Sequence, residues 1–195
     1  MEHIFRGEPI AQDQLDEYLP TLKETIAKDL KNPKPSVEVV CQALEQLLQE
    51  LEEEKIKEQL QQMGVASWLV EDYIRSAKEQ IHPQTLRKRM ANELKGYPHQ
   101  PLGVLVHVGV ANTLGLSAFS VIEGLLTQNI NLLKLPRQEG GLSQEILQKL
   151  VDIQPALKPY IYVLDVASSD KKRLKSILDV ADGMAIWGDD QTIQS

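Results

Sequence analysis

The stretch VLVHVGVANTLGLSAFSVIEGLLTQNINLLKLP, residues 104–136, changes its hydrophobic period twice. It opens with the β-branched run VLVHVGV, a strand. Small and polar residues break that run. LGLSAFSVIEGLLT is then an apolar helix, and INLLKL is a second strand. A strand, a glycine-bearing turn, a helix and a strand are the start of a nucleotide-binding α/β unit. The stretch nonetheless lacks both G-x-G-x-x-G and G-x-x-x-x-G-K-[ST].

The same alternation continues toward the C-terminus. SQEILQKLVDIQ is an amphipathic helix with Ile146, Leu147, Leu150 and Val151 on one side. YIYVLDV is a strand, DKKRLKSILDVAD a helix with its lysines outward, and GMAIWG a strand. Four strands joined by three helical crossovers predict a parallel sheet covered on both faces. Right-handed crossovers make it an open, doubly wound sheet.

Toward the N-terminus the period is helical. In SVEVVCQALEQLLQELEEEKIKEQLQQMG, residues 36–64, Val37, Val40, Cys41, Leu44, Leu47, Leu48 and Leu51 share one face. Ser36 is placed as N-cap and Gly64 as C-terminal stop. ASWLVEDYIRSAKEQ and HPQTLRKRMANEL are two further helices, the second with Pro83 in its first turn. KGYPHQPLG is a turn-rich connector. The chain therefore divides into a helical region, residues 1–95, and an α/β region, residues 96–195. The acidic run Glu52–Glu53–Glu54, followed by Lys55 and Lys57, is a solvated helix face with local ion pairs.

A net charge of −7 and a pI near 5.2 argue against a nucleic-acid partner bound by phosphate neutralisation. No long uncharged apolar run predicts a membrane span. The first twenty residues lack the pattern of a signal peptide. One cysteine, Cys41, excludes an internal disulfide and any cysteine-rich metal site, and no metal ligands are predicted. A cytoplasmic location fits these features.

In open α/β sheets, ligands bind outside the carboxyl ends of the strands. GVANTLG, KLPRQEGG and WGDDQT follow the first, second and fourth strands and converge on that edge. Lys134 closes the second strand. There it either donates to a ribose and accepts a 2′-phosphate, or faces solvent. Asn112, in the first loop, is either an amide donor to an oxyanion or a turn residue. His107, inside a strand, is a packed histidine. Cys41, on an apolar stripe, is a buried structural thiol.

With these residues in view, the second half resembles the aldehyde dehydrogenase superfamily, and within it the LuxC-like acyl-CoA reductases. PLGVLVHVGVANTLGL is similar to the opening strand and Asn-bearing loop. EGLLTQNINLLKLP is similar to the helix-to-strand segment, and DVADGMAIWGDD to the strand and turn beside the cofactor phosphates. Two departures stand out. Gln128 replaces the glycine before Asn129, and Leu135 separates Lys134 from Pro136.

The resemblance implies a Rossmann-like sheet of aldehyde dehydrogenase type, truncated before the catalytic domain. It implies NADP or NAD as cofactor and reduction of a fatty acyl-CoA or other acyl thioester to an aldehyde. Asn112 takes the oxyanion role, Lys134 the adenosine-ribose role and Gly188 the close-approach glycine. Asp189 falls beside the cofactor, where the wider superfamily often has serine. The nucleophilic cysteine would belong to a missing catalytic domain or subunit, which leaves this chain inactive alone. Two other readings stay open. One is a catalytically silent interaction module that uses the helical half as its surface. The other is an unrelated doubly wound nucleotide binder with no role for Asn112. The acyl chain length, the cofactor choice and the oligomeric state, a homo-oligomer included, are not fixed by the sequence.

Overall fold

A computed structural model of the chain describes residues 2–96, 99–109, 115–135 and 141–187. The elements run β1 (His3–Phe5), β2 (Glu8–Ile10), α1 (Leu15–Tyr18), α2 (Leu22–Asp29), α3 (Val37–Glu50), α4 (Glu53–Gln62), α5 (Ser67–Ile81) and α6 (Pro83–Glu93). Then come β3 (Val104–Val108), α7 (Leu116–Leu126), β4 (Ile130–Lys134), α8 (Leu142–Ile153), β5 (Ile161–Leu164), α9 (Lys171–Leu178) and β6 (Gly183–Ile186).

The predicted α/β order holds. Strands β3, β4, β5 and β6 are mutually parallel, and their spatial order is β5–β4–β3–β6. The chain steps outward from β3 to β5, then returns to the far side of β3 as β6. That reversal makes the carboxyl ends of β3 and β6 the topological switch point of the sheet. The two faces carry different helices. His107 on β3 reaches Ser120 of α7. Tyr162 on β5 points the other way and reaches Asp29 at the end of α2.

Three expectations need correction. The first 95 residues are not wholly helical. His3–Phe5 and Glu8–Ile10 form a hairpin that pairs antiparallel with β5, so the sheet has six strands and is mixed. Its turn, Arg6–Gly7, has positive φ at both residues, as a tight hairpin requires. Next, the helix expected over 36–64 is two helices. Ser36 caps α3 by accepting from the Val39 amide, but Leu51 adopts an extended conformation and separates α3 from α4. The expected stop at Gly64 is present, in the left-handed conformation. Lastly, the sheet is not covered throughout: Met184 and Ile186 on β6 are exposed.

The hairpin is fastened by charge. Arg6 donates through Nε and Nη2 to both oxygens of the buried Asp29, at 2.8 and 2.9 Å. Tyr162 Oη donates to the same carboxylate at 3.2 Å. A buried carboxylate needs such donors, because its desolvation is otherwise unfavourable by several kcal/mol.

The α7–β4 corner explains Gln128. The Gln128 amide donates to Leu125 O and the Asn129 amide to Gly124 O, the paired bonds of a Schellman motif. That motif needs a left-handed residue, and Gln128 sits at φ 62°. The residue therefore occupies a glycine's conformation, anchored by its side-chain bond to Pro35 O. Asn129 then holds the corner to the start of β3, since its Oδ1 accepts from the Gly103 amide at 3.0 Å. Gln128→Gly should stabilise the fold by about 0.5–1 kcal/mol, as relieved left-handed strain outweighs the added freedom of the unfolded chain. Thermal denaturation should show a rise of about 1–4 °C; an unchanged or lower midpoint would mean the corner is unstrained.

Candidate functional site

The carboxyl edge of the parallel strands is built by hydrogen bonds that run just past each strand. Gly109 donates to Lys134 O, Leu135 to Leu164 O and Trp187 to Val108 O. The first residue of each departing loop is thus still in register with its neighbour.

Lys134 lies in register between Val108 and Leu164. It is not the solvent-facing lysine that a strand end allows: only 7% of it is exposed. Its stem is packed in the sheet layer, and its Nζ donates to the Ser168 hydroxyl at 3.0 Å. Ser168 is exposed, in the loop after β5. The ammonium therefore ends beside an exposed loop at the carboxyl edge. Sequence reasoning missed Ser168, which has no motif around it. Asn112, Gly188 and Asp189 lie outside the described residues.

Trp187, which precedes Gly188, is held by a directed polar chain. Asn131 Nδ2 donates to Asn129 O at 2.8 Å and to Tyr160 O at 3.4 Å, so its Oδ1 is an acceptor. His107 Nε2 must then carry the proton it shares with that oxygen, at 3.0 Å. Nδ1 of the neutral ring accepts, and the Ser120 hydroxyl donates to it at 2.8 Å. Ser120 Oγ in turn accepts from Trp187 Nε1 at 3.1 Å. Burial pushes the His107 pKa below its usual value, and the bond to Asn131 opposes this only in part. His107 is thus the packed histidine its strand position predicts, and it stays neutral.

A serine that donates to a histidine oriented by an amide has the form of an activated nucleophile. Here the serine also accepts from an indole and lies in the helix–sheet interface, 5% exposed. The arrangement ties the end of β6 to α7 and β3. Cys41 is fully buried among the apolar residues of α3, and burial pushes its thiol pKa up. No group of residues suited to a metal ion occurs among the described residues. No described helix is long and apolar enough to cross a membrane.

A family model described as acyl-CoA reductase (LuxC) matches residues 11–195. No curated protein matches the chain.

The histidine sets a pH dependence. Below its ordinary value of 6.5, His107 of the unfolded chain takes up a proton that the folded chain refuses. Its contribution to stability is present above that pH and is lost as pH falls toward the lowered folded-state value. The slope reaches at most about 1.4 kcal/mol per pH unit. Urea midpoints measured against pH should therefore fall less steeply for His107→Gln than for the wild type. Parallel curves would remove His107 as the source.

Proposed function

The chain belongs to the LuxC family of acyl-CoA reductases. We propose that it supplies the cofactor-binding portion of an NAD(P)H-dependent enzyme that reduces a fatty acyl thioester to an aldehyde. The observation that carries this reading is Lys134, a nearly buried lysine whose ammonium is delivered beside Ser168 at the carboxyl edge. An ammonium and a hydroxyl side by side suit the hydroxyls of an adenosine ribose, and the positive charge suits a 2′-phosphate.

The residues present fit the group. Lys134 and Ser168 would hold its adenosine ribose, and Gly188 and Asp189 would lie along its phosphates. A bound nicotinamide supplies the hydride. Asn112 would donate its side-chain N–H to the thioester oxygen as negative charge develops there. Trp187 is tied to Ser120 on α7.

The covalent step of this chemistry requires a thiolate. Cys41 is the sequence's one cysteine, and its thiol is buried and protonated at neutral pH. On this reading Cys41 is not the nucleophile. Incubated alone with an acyl-CoA and NADPH, the chain should form no aldehyde, and Cys41→Ser should change nothing. Turnover that Cys41→Ser abolishes, with the fold intact, would make Cys41 the nucleophile.

Lys134→Ala should weaken dinucleotide binding by roughly ten- to a hundredfold, the worth of one charge-assisted hydrogen bond. If the ammonium meets a 2′-phosphate, the loss is larger for NADPH than for NADH and shrinks as salt rises. If it meets only the ribose, both cofactors lose alike. Calorimetry on the two chains, with circular dichroism to check the fold, measures the ratio. Equal affinities would take Lys134 out of the site and remove the main support for the reading.

A further inference from the structure

The loop that carries Ser168 is held at both ends by residues from the start of the chain. It runs from Asp165, one residue past β5, to Asp170, the N-cap of α9. Within it Val166 is buried, and the Asp170 amide donates to Ala167 O at 2.9 Å, which closes a tight turn over Ser168 and Ser169. At the far end, Arg173 of α9 pairs with Asp170 and forks onto Asp16 of α1 through Nε and Nη2, at 2.9 and 2.8 Å. At the near end, the Asp165 amide donates to Nδ1 of His3 at 3.0 Å. Strand β1 therefore grips the loop through a side chain, one residue beyond the strand it pairs with.

This bond fixes the state of the ring. An Nδ1 that accepts leaves the single proton of a neutral imidazole on Nε2. His3 is fully buried, and its Nε2 makes no hydrogen bond. A second proton has only Nδ1 to go to, where it would face the Asp165 N–H and break the bond. Four groups surround the ring: the Asp165 carboxylate, Arg173 of α9, the backbone of Gln12 before α1 and the α-amino group of the chain. Burial pushes the His3 pKa below its ordinary 6.5, and Arg173 adds to this while Asp165 opposes it in part. The bond is thus intact at neutral pH and is lost in acid.

We propose that His3 is a positioning residue for the ribose site: by holding the Asp165 amide it sets the loop that presents Ser168 to Lys134. That the loop meets a ribose rests on the cofactor reading; that His3 holds the loop rests on the bond itself. Only the buried Val166 and the turn residue Ala167 separate Asp165 from Ser168, so a shift at the first is passed on to the second. A residue of the N-terminal hairpin thereby makes one edge of the site sensitive to acid.

Amide exchange of the full chain, followed by NMR from roughly pH 7.5 to 4.5 and expressed as protection relative to free peptide, reads the loop directly. His3→Asn is the control, because its Oδ1 offers an acceptor near the place of Nδ1 but does not titrate. In the wild type, protection at Asp165 should fall about tenfold or more as the ring takes up its proton, and His3→Asn should keep its protection throughout. His3→Leu should lack it at every pH, with the amides of β3 and β4 unchanged. NADP binding, measured by calorimetry, should be about three- to tenfold weaker in His3→Leu than in the wild type at neutral pH, and close to wild type in His3→Asn. On acidification the wild type should lose affinity relative to His3→Asn, a ratio in which titration of the ligand's own phosphate cancels. Equal Asp165 protection in the wild type and His3→Asn across the whole range would overturn the proposal. So would wild-type NADP affinity in a folded His3→Leu chain. A wild type that binds no NADP, while its Asp165 protection still follows His3, would remove the ribose reading and leave the hold on the loop standing.

Discussion

The close approach of α7 to the sheet at Gly124 is the constraint on which the α/β half depends. A Cβ built there would lie 1.8 Å from Asn131 Oδ1 and 3.3 Å from His107 Nε2. No side chain fits. Only because the helix comes this near can Ser120, one turn earlier on the same face, reach the histidine. The resulting chain of bonds links β6, α7, β3 and β4 and ends on backbone carbonyls of Asn129, before β4, and Tyr160, before β5. It is fully satisfied and directional, so it specifies one register of four strands in a way apolar packing alone does not. A low dielectric makes each bond strong and each broken one costly.

Much of the fold could be read from the sequence because its elements are long and periodic. The seven-residue stripe from Val37 to Leu51 has its central members buried. The β-branched runs after residue 103 became strands, and Pro83 opens a helix as expected. The hairpin escaped notice because three-residue strands show no period, and its turn is an Arg–Gly pair in a stretch that otherwise reads as helical. The break at Leu51 has no glycine or proline to mark it. It arises from tertiary contacts, among them Lys149 of α8 bonded to Glu50 O at the end of α3.

The candidate site was legible to a different degree at each position. The strand pattern placed Lys134 at the end of β4, where it stands. Its burial was not legible, because a charged residue's default is solvent and only the surrounding layers reverse that. Ser168 joins the site only through tertiary assembly, 34 residues along the chain from Lys134. The departure at Gln128 needed the backbone to interpret it. Its φ shows that a glycine's conformation is kept there while the glycine is not. Asn112, Gly188 and Asp189 lie outside the described residues, and their roles stand as the resemblance implies them.

The uncovered side of β6 bears on how the chain behaves in solution. On its far side β6 has no partner strand among the described residues, and Met184 and Ile186, on one face of the strand, are exposed. An open strand edge is a row of backbone donors and acceptors to which another extended segment can add. Two features hold this back: the strand is only four residues long, and a net charge of −7 makes copies repel. Salt weakens the second feature, since at about 0.1 M the screening length falls to roughly 10 Å. The −7 charge therefore opposes the approach of two copies most strongly at low ionic strength.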